Sequence, residues 1–184
     1  MPSPQGRRLL DVGCGTGLRL KQCNAALAFG VDASPEMLAA SKLSNVVVAD
    51  IRALPFPDDF FDLVWCRLML SYLPDLKPGY AELARVCRPR GQVMVSDFHA
   101  DATRAGHRQT FRDAQGQLHE ITHYIYDASS HAQAAILGGL TLVARHDGLI
   151  GPQIQPVYER LGHSDMYVRD CGLAIVALFL FEKK

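Results

Sequence analysis

The segment Leu9-Leu10-Asp11-Val12-Gly13-Cys14-Gly15-Thr16-Gly17 constrains this chain more than any other stretch. Leu9, Leu10 and Val12 read as a strand, three alternating glycines follow, and the residues from Leu18 onward can form a helix. Glycine is required where a backbone reverses tightly and offers its amides to a ligand without a Cβ in the way. A helix N-terminus behind such a turn favours electron-rich groups. A nucleotide-like ligand is implied. A dinucleotide fingerprint places its third glycine one position later, where Leu18 stands, so the G-x-G-x-x-G template is not met. A lone G-x-G-x-G also occurs in ordinary turns, so its surroundings carry the decision.

Those surroundings are regular. Short apolar runs alternate with helix-compatible stretches, the pattern of a parallel sheet covered by helices, and the class is α/β. Strands are expected at Arg8–Val12, Ala28–Val31, Asn45–Ala49, Phe61–Cys66, Gln92–Phe98, Leu140–Arg145 and Leu173–Phe181, and helices at 18–25, from Pro35 and at Lys77–Cys87. Ser34 is expected to cap the second helix, with Pro35 at its first position. Ser130 with Gln133 reads as a capping box for a further helix that ends at Gly138 and Gly139. Asp32 follows the second strand, where doubly wound folds place a carboxylate for ribose hydroxyls; Asp50 follows the third and can accept from an exocyclic amine. Each could also be a turn or capping acid. Together with the glycine turn they fall on one sheet edge, at the carboxyl ends of the strands.

Five stretches in order, Leu10–Gly17, Gly30–Leu38, Ala49–Phe56, Phe60–Val64 and Glu82–Gly91, resemble the class I S-adenosylmethionine-dependent methyltransferases, especially the small-molecule branch. The resemblance covers residues 8–98 and implies a Rossmann-like, seven-stranded, mostly parallel sheet with the last strand antiparallel. It implies S-adenosylmethionine as cofactor and S-adenosylhomocysteine as product. Carried over by position, Asp11 orients the glycine loop and the methionine amine, and Gly13, Cys14, Gly15 and Gly17 pass beneath the cofactor. Asp32 binds the ribose, Ala33 and Met37 border it, Asp50 and Ile51 bind adenine, and Cys66 touches the methionine portion through its backbone. In that family Tyr72 lies in a stretch facing the acceptor; His99, just past the fifth strand, is a candidate base. Arg90 departs from the family's usual glycine. Asp32→Ala is expected to weaken cofactor binding with little change in the melting temperature of the empty protein.

The expected product is a one-domain chain of 184 residues, and its 48% apolar content suffices for a core. Nineteen basic residues balance nineteen acidic ones, without the basic excess of a nucleic-acid binder. The longest apolar run, Cys171–Phe181, is too short for a membrane span. Five cysteines without a CxxC pair fit a reduced, cytoplasmic setting. Residues 99–129 match neither the pattern nor the family and read as an insertion, a hairpin turning at Ala114-Gln115-Gly116-Gln117. His119 and His123 would share a strand face, and Arg104, His107, Arg108 and Arg112 form a basic group, yet the spacing specifies no metal site. Only about seven residues precede Arg8 where the family has lid-forming helices, so the chain is expected to have lost that lid, to borrow one from a second subunit of a homodimer, or to cover the site with the insertion. The expected activity is methyl transfer to a small-molecule acceptor. The alternative is a cofactor-binding, non-catalytic or partner-dependent subunit.

Overall fold

A computed structural model describes residues 2–113 and 115–184; Ala114, within the expected hairpin turn, lies outside the described residues. The elements in chain order are β1 (Arg8–Val12), α1 (Leu18–Gln22), β2 (Leu27–Asp32), α2 (Pro35–Ser41), β3 (Val46–Val48), β4 (Phe61–Arg67), a 3-10 turn at Leu70–Tyr72 and α3 (Leu76–Val86). They continue with β5 (Cys87–Phe98), α4 (Ala100–Arg104), β6 (Thr110–Arg112), β7 (Leu118–Glu120), α5 (Ala128–Leu137), β8 (Leu140–Leu149), α6 (Gln155–Arg160), α7 (Ser164–Asp170) and β9 (Ala174–Lys183).

Among the described residues, seven strands form one sheet in the order β3-β2-β1-β4-β5-β9-β8, and β6 pairs with β7 in a separate hairpin. β9 runs antiparallel to both neighbours, β5 and β8, while β1 to β5 pair parallel. This is the expected doubly wound sheet with its last strand reversed. Strand order changes direction between β1 and β4, and the crevice beyond their carboxyl ends is where such sheets hold ligands.

The central strands β1, β4 and β5 read as apolar runs because most of their residues are buried. Leu10, Val12, Val64, Val93 and Val95 pack with Tyr80 and Leu83 of α3 and Ala134 of α5 in the main core. Leu9, Leu63 and Leu20 of α1 form a smaller cluster, joined by Trp65 and Leu43. Ser34 caps α2 as expected, its Oγ accepting from Met37 N at 3.1 Å. At α5 the expectation fails. Asp127 is the cap, its carboxylate accepting from Ser130 N at 2.8 Å, and Ser130 Oγ turns to the same carboxylate at 2.9 Å. The helix begins three residues earlier than expected, at Ala128, so Ser130 lies inside its first turn and the extended Asp127 holds the cap position. Arg90 takes a left-handed φ of 61°, which explains why a glycine would suit that turn.

A buried polar trio links α3, α5 and β5. Tyr80 Oη and His131 Nδ1 are 2.9 Å apart, and His131 Nε2 lies 3.6 Å from Asp97 Oδ2. Burial pushes the imidazole down to about 4 and the Asp97 carboxyl up to about 6. A histidine depressed on folding loses its stabilising contribution as pH falls from about 6.5 to about 4. An aspartate raised on folding gains stability as pH falls from about 6 to about 3.8. Each effect is of order 3 kcal/mol, and they oppose. Urea melts at pH 6.5 and 4.5 are therefore expected to show, relative to the unsubstituted chain, stability falling with acid in Asp97→Asn and rising with acid in His131→Gln; parallel slopes would contradict this.

Candidate cofactor cleft

The turn after β1 is built by glycines in left-handed backbone, with φ of 71° at Gly13, 54° at Gly15 and 69° at Gly17. Gly13 N and Cys14 N both donate to Val31 O, at 2.8 and 2.9 Å, which pins the turn to the end of β2. A Cβ on Gly13 would meet Met69 Cγ at 2.8 Å, whereas one on Gly15 would meet nothing within 4 Å. The loop is thus backed on one side and open on the other. Asp32 completes the tie: its Oδ2 accepts from Gly15 N at 2.8 Å and its Oδ1 from Ser34 N at 2.9 Å.

The crevice in front of this loop is a cleft of about 570 Å³. Gly13, Gly15, Asp32, Ala33, Met37, Asp50 and Ile51 line it, as the sequence indicated, and so does Tyr72. Asp50 is locked by Arg52, whose Nε and terminal nitrogen lie 2.9 and 2.6 Å from its two oxygens; these bonds hold its carboxyl below the ordinary range. The next loop is held from behind. Glu82 Oε2 accepts from Leu54 N at 2.7 Å, and Arg85 donates to the carbonyls of Leu54 and Phe56 and to Asp58.

Five candidates sit elsewhere. Cys14 packs its sulfur beneath the loop, where a Cβ on Gly30 would meet it at 2.7 Å, and burial pushes its thiol up to about 12. Gly17 supports the turn from outside the cleft, facing Leu43. Cys66 is fully buried in the main core, and the strand reaches the cleft only beyond it, through Arg67, Leu68 and Met69. Asp11 is fully buried below the cleft and bound to Arg67 at 2.6 Å; its other oxygen has no hydrogen-bond partner among the described residues. Burial pushes its carboxyl up despite that ion pair. His99 caps α4, its Nδ1 accepting from Asp101 N at 3.1 Å, away from the cleft. Sequence reading missed Arg67, whose guanidinium also lies 4.9 Å from the Trp65 ring centre. Its place directly after the fourth expected strand was the available signal.

The insertion's basic group faces acids and carbonyls partly within the segment and partly in α7. Arg104 meets Asp101 at 2.7 Å, His107 meets Asp170 at 3.1 Å, Arg108 meets Glu120 at 3.6 Å and Arg112 donates to Gly116 O at 2.9 Å. His119 pairs with Asp113 at 2.7 Å, and β7 ends before His123, so the two do not share a strand. Among the described residues no cluster of three or more His, Cys, Asp or Glu is placed to hold a metal, and no helix is long and apolar enough to cross a membrane.

Residues 10–95 match the family described as a methyltransferase domain. The chain is 38% identical over 104 residues to the malonyl-[acyl-carrier protein] O-methyltransferase of Erwinia billingiae (strain Eb661), covering 53% of this chain and 41% of that protein. It is 36% identical over 107 residues to the phosphatidylethanolamine N-methyltransferase of Cereibacter sphaeroides, covering 52% and 53%. Residues 10–95, just under half of the chain, thus carry a methyltransferase domain of the class I S-adenosylmethionine-dependent type. The chain's match spans about half the length, or less, of these relatives. The fold agrees: a crystal structure of an S-adenosylmethionine-dependent methyltransferase from Mesorhizobium loti superposes with a TM-score of 0.75 at 20% identity, covering 100% of this chain and 94% of that one. S-adenosylmethionine is accordingly the cofactor of this methyltransferase fold.

Asp32 therefore lines the cleft and also braces the chain. Asp32→Ala removes two charge-assisted bonds to backbone amides and is expected to lower the stability of the ligand-free chain by about 2 to 4 kcal/mol. Guanidinium melts of the purified variant check this; an unchanged midpoint would return Asp32 to the purely ligand-binding role read from sequence.

Proposed function

We propose that this chain binds S-adenosylmethionine in the cleft at the carboxyl ends of β1, β2 and β4 and transfers its methyl group to a small-molecule acceptor. The observation that carries the reading is the fit of the donors and acceptors to the cofactor. The Gly15 side of the loop is open for close approach, Asp32 keeps lone pairs for a ribose diol, and Ile51 offers an apolar floor beside Asp50 for a base. Asp11 adds a buried oxygen without a hydrogen-bond partner below the loop.

The bound cofactor supplies a methyl group already activated by its sulfonium, so a strong catalytic base is not a precondition. The chain's own residues position and shield. Alignment of nucleophile and methyl near 3 Å is the main source of rate in such a displacement. Tyr72 stands at the cleft edge, where an acceptor would enter. The 99–129 segment leans on that edge, which supports its reading as a cap within one domain.

A second reading, a subunit that needs a partner, has one observation in its favour. A groove of about 550 Å³ lined by Arg19, Trp65, Arg67 and Leu178 opens on the α1 side of the sheet, and Arg67 belongs to both groove and cleft. Calorimetry with the purified chain is expected to give micromolar affinity for S-adenosylhomocysteine and none comparable for NAD, and incubation of S-adenosylmethionine with metabolite pools is expected to release S-adenosylhomocysteine. Binding without turnover in any pool would favour the partner-dependent reading, and tight NAD binding alone would sink both.

A further inference from the structure

β8 is the outer strand of the sheet on the side of β9. Apart from its ladder with β9, no other element of the described residues hydrogen-bonds to the backbone of residues 141–149. Thr141 to His146 are all exposed. An edge that leaves a row of amides and carbonyls free is a template for a further strand. The register of β8 against β9 is interrupted twice, between Leu142 and Ala144 and between Gly148 and Leu149. Bulges bend an edge and stop a second strand from following it, so pairing is confined to the regular stretch between them, Ala144-Arg145-His146-Asp147-Gly148. His146 is its middle residue. Val143 and Leu149 flank the stretch symmetrically, each 56% exposed.

Charges on an edge normally repel a second edge. Here they are spaced to attract a copy of themselves. In an antiparallel pair of identical strands, facing residues turn their backbone groups the same way, both toward or both away from each other, so the two-fold axis passes through a residue. An axis at His146 sets Arg145 opposite the partner's Asp147 and Asp147 opposite the partner's Arg145. An axis at Arg145 or at Asp147 faces like charges, and one at Ala144 or Gly148 carries the pairing past a bulge. Arg145 and Asp147 already share a face of β8, with guanidinium nitrogens 3.1 and 2.9 Å from the two carboxylate oxygens. Their side chains are 40% and 36% exposed, so a second pair can reach them. Two such pairs side by side make a row of four charges alternating in sign.

We propose that Ala144–Gly148 is a self-recognition edge: two copies of this chain pair antiparallel about an axis at His146 and join their sheets into one. The contact also brings Val143 near the partner's Leu149 at each end, which covers apolar surface that one copy leaves in water. A contact this short falls at the low end of specific interfaces, so the dimer is weak and reversible. β5 and β9 lie between β8 and the strands that carry the cleft, so each copy keeps its cleft outside the contact. The inference is therefore independent of the methyl-transfer reading.

Sedimentation velocity of the full chain over about 5 to 500 μM is expected to show a monomer–dimer equilibrium with a Kd on the order of tens of micromolar. Amide hydrogen exchange within 144–148 should slow with rising concentration, while exchange in β1 stays unchanged. Arg145→Asp and Asp147→Arg should each weaken the dimer at least about tenfold, because each lines the contact with four like charges. An equimolar mixture of the two variants should dimerise again, since every acid of one then faces an arginine of the other. Repulsion within each chain is the same in separate and mixed samples, so only pairing between copies accounts for that recovery. A chain that stays monomeric throughout overturns the proposal, as do two monomeric variants that remain so when mixed. A dimer that both reversals leave intact is built on another face and overturns it too. Unchanged exchange within 144–148 in a sample that is mostly dimer overturns it even where a variant fails to fold.

Discussion

The cleft depends on one carboxylate. Asp32, the last residue of β2, accepts from an amide of the glycine turn and from an amide at the start of α2, and so joins two loops that would otherwise be positioned only by their strands. A glycine-rich turn is conformationally loose by composition, and ordering it costs more entropy than ordering any other backbone. Two charge-assisted bonds to one rigid strand end offset that cost. They also hold open the side of the loop on which a ligand must approach. Val31 O, taking the amides of Gly13 and Cys14, anchors the same turn from the same strand. Turn and β2 are one mechanical unit.

Polar burial in this fold clusters at the carboxyl ends of the central strands. Asp11 lies under the loop with Arg67 as counter-ion, and Asp97 lies at the end of β5 beside His131. Carboxylates so deeply placed are destabilising unless paired, and here both are raised by burial. Their positions coincide with the crevice at the switch in strand order. Both carboxylates raised by burial thus lie at the end of the molecule where chemistry is proposed.

Residues 8–98 were legible almost element by element because each signal there is local. β1 was read to the residue, α2 was read from Ser34 and Pro35, and the loop after Asp50 was read from its prolines. Seven of the eleven cofactor candidates line the cleft. Asp11 and Cys66 instead place their side chains in the interior, since a strand alternates its side chains between faces, while Cys14 and Gly17 lie in the turn and pack against its support rather than lining the cleft. His99 follows the fifth strand as read, but its ring nitrogen accepts from an amide of α4, a short helix with no clear sequence periodicity. Residues 99–129 carry weak signals, since their order comes from hydrogen bonds that Gln109, Tyr124 and Tyr126 make to residues 71–73, remote in sequence.

The sequence alone determined the sheet, its glycine turn and the acids at its carboxyl edge, because hydrophobic period, glycine placement and capping act over a few residues at a time. Only the tertiary structure decided that Arg67 joins the cleft, that Asp32 ties the glycine turn to the start of α2, and that Tyr72 meets Gln109 at the cleft edge. Those outcomes depend on which buried donors and acceptors meet across the fold. Such meetings are set by packing between distant segments, and no local pattern encodes them.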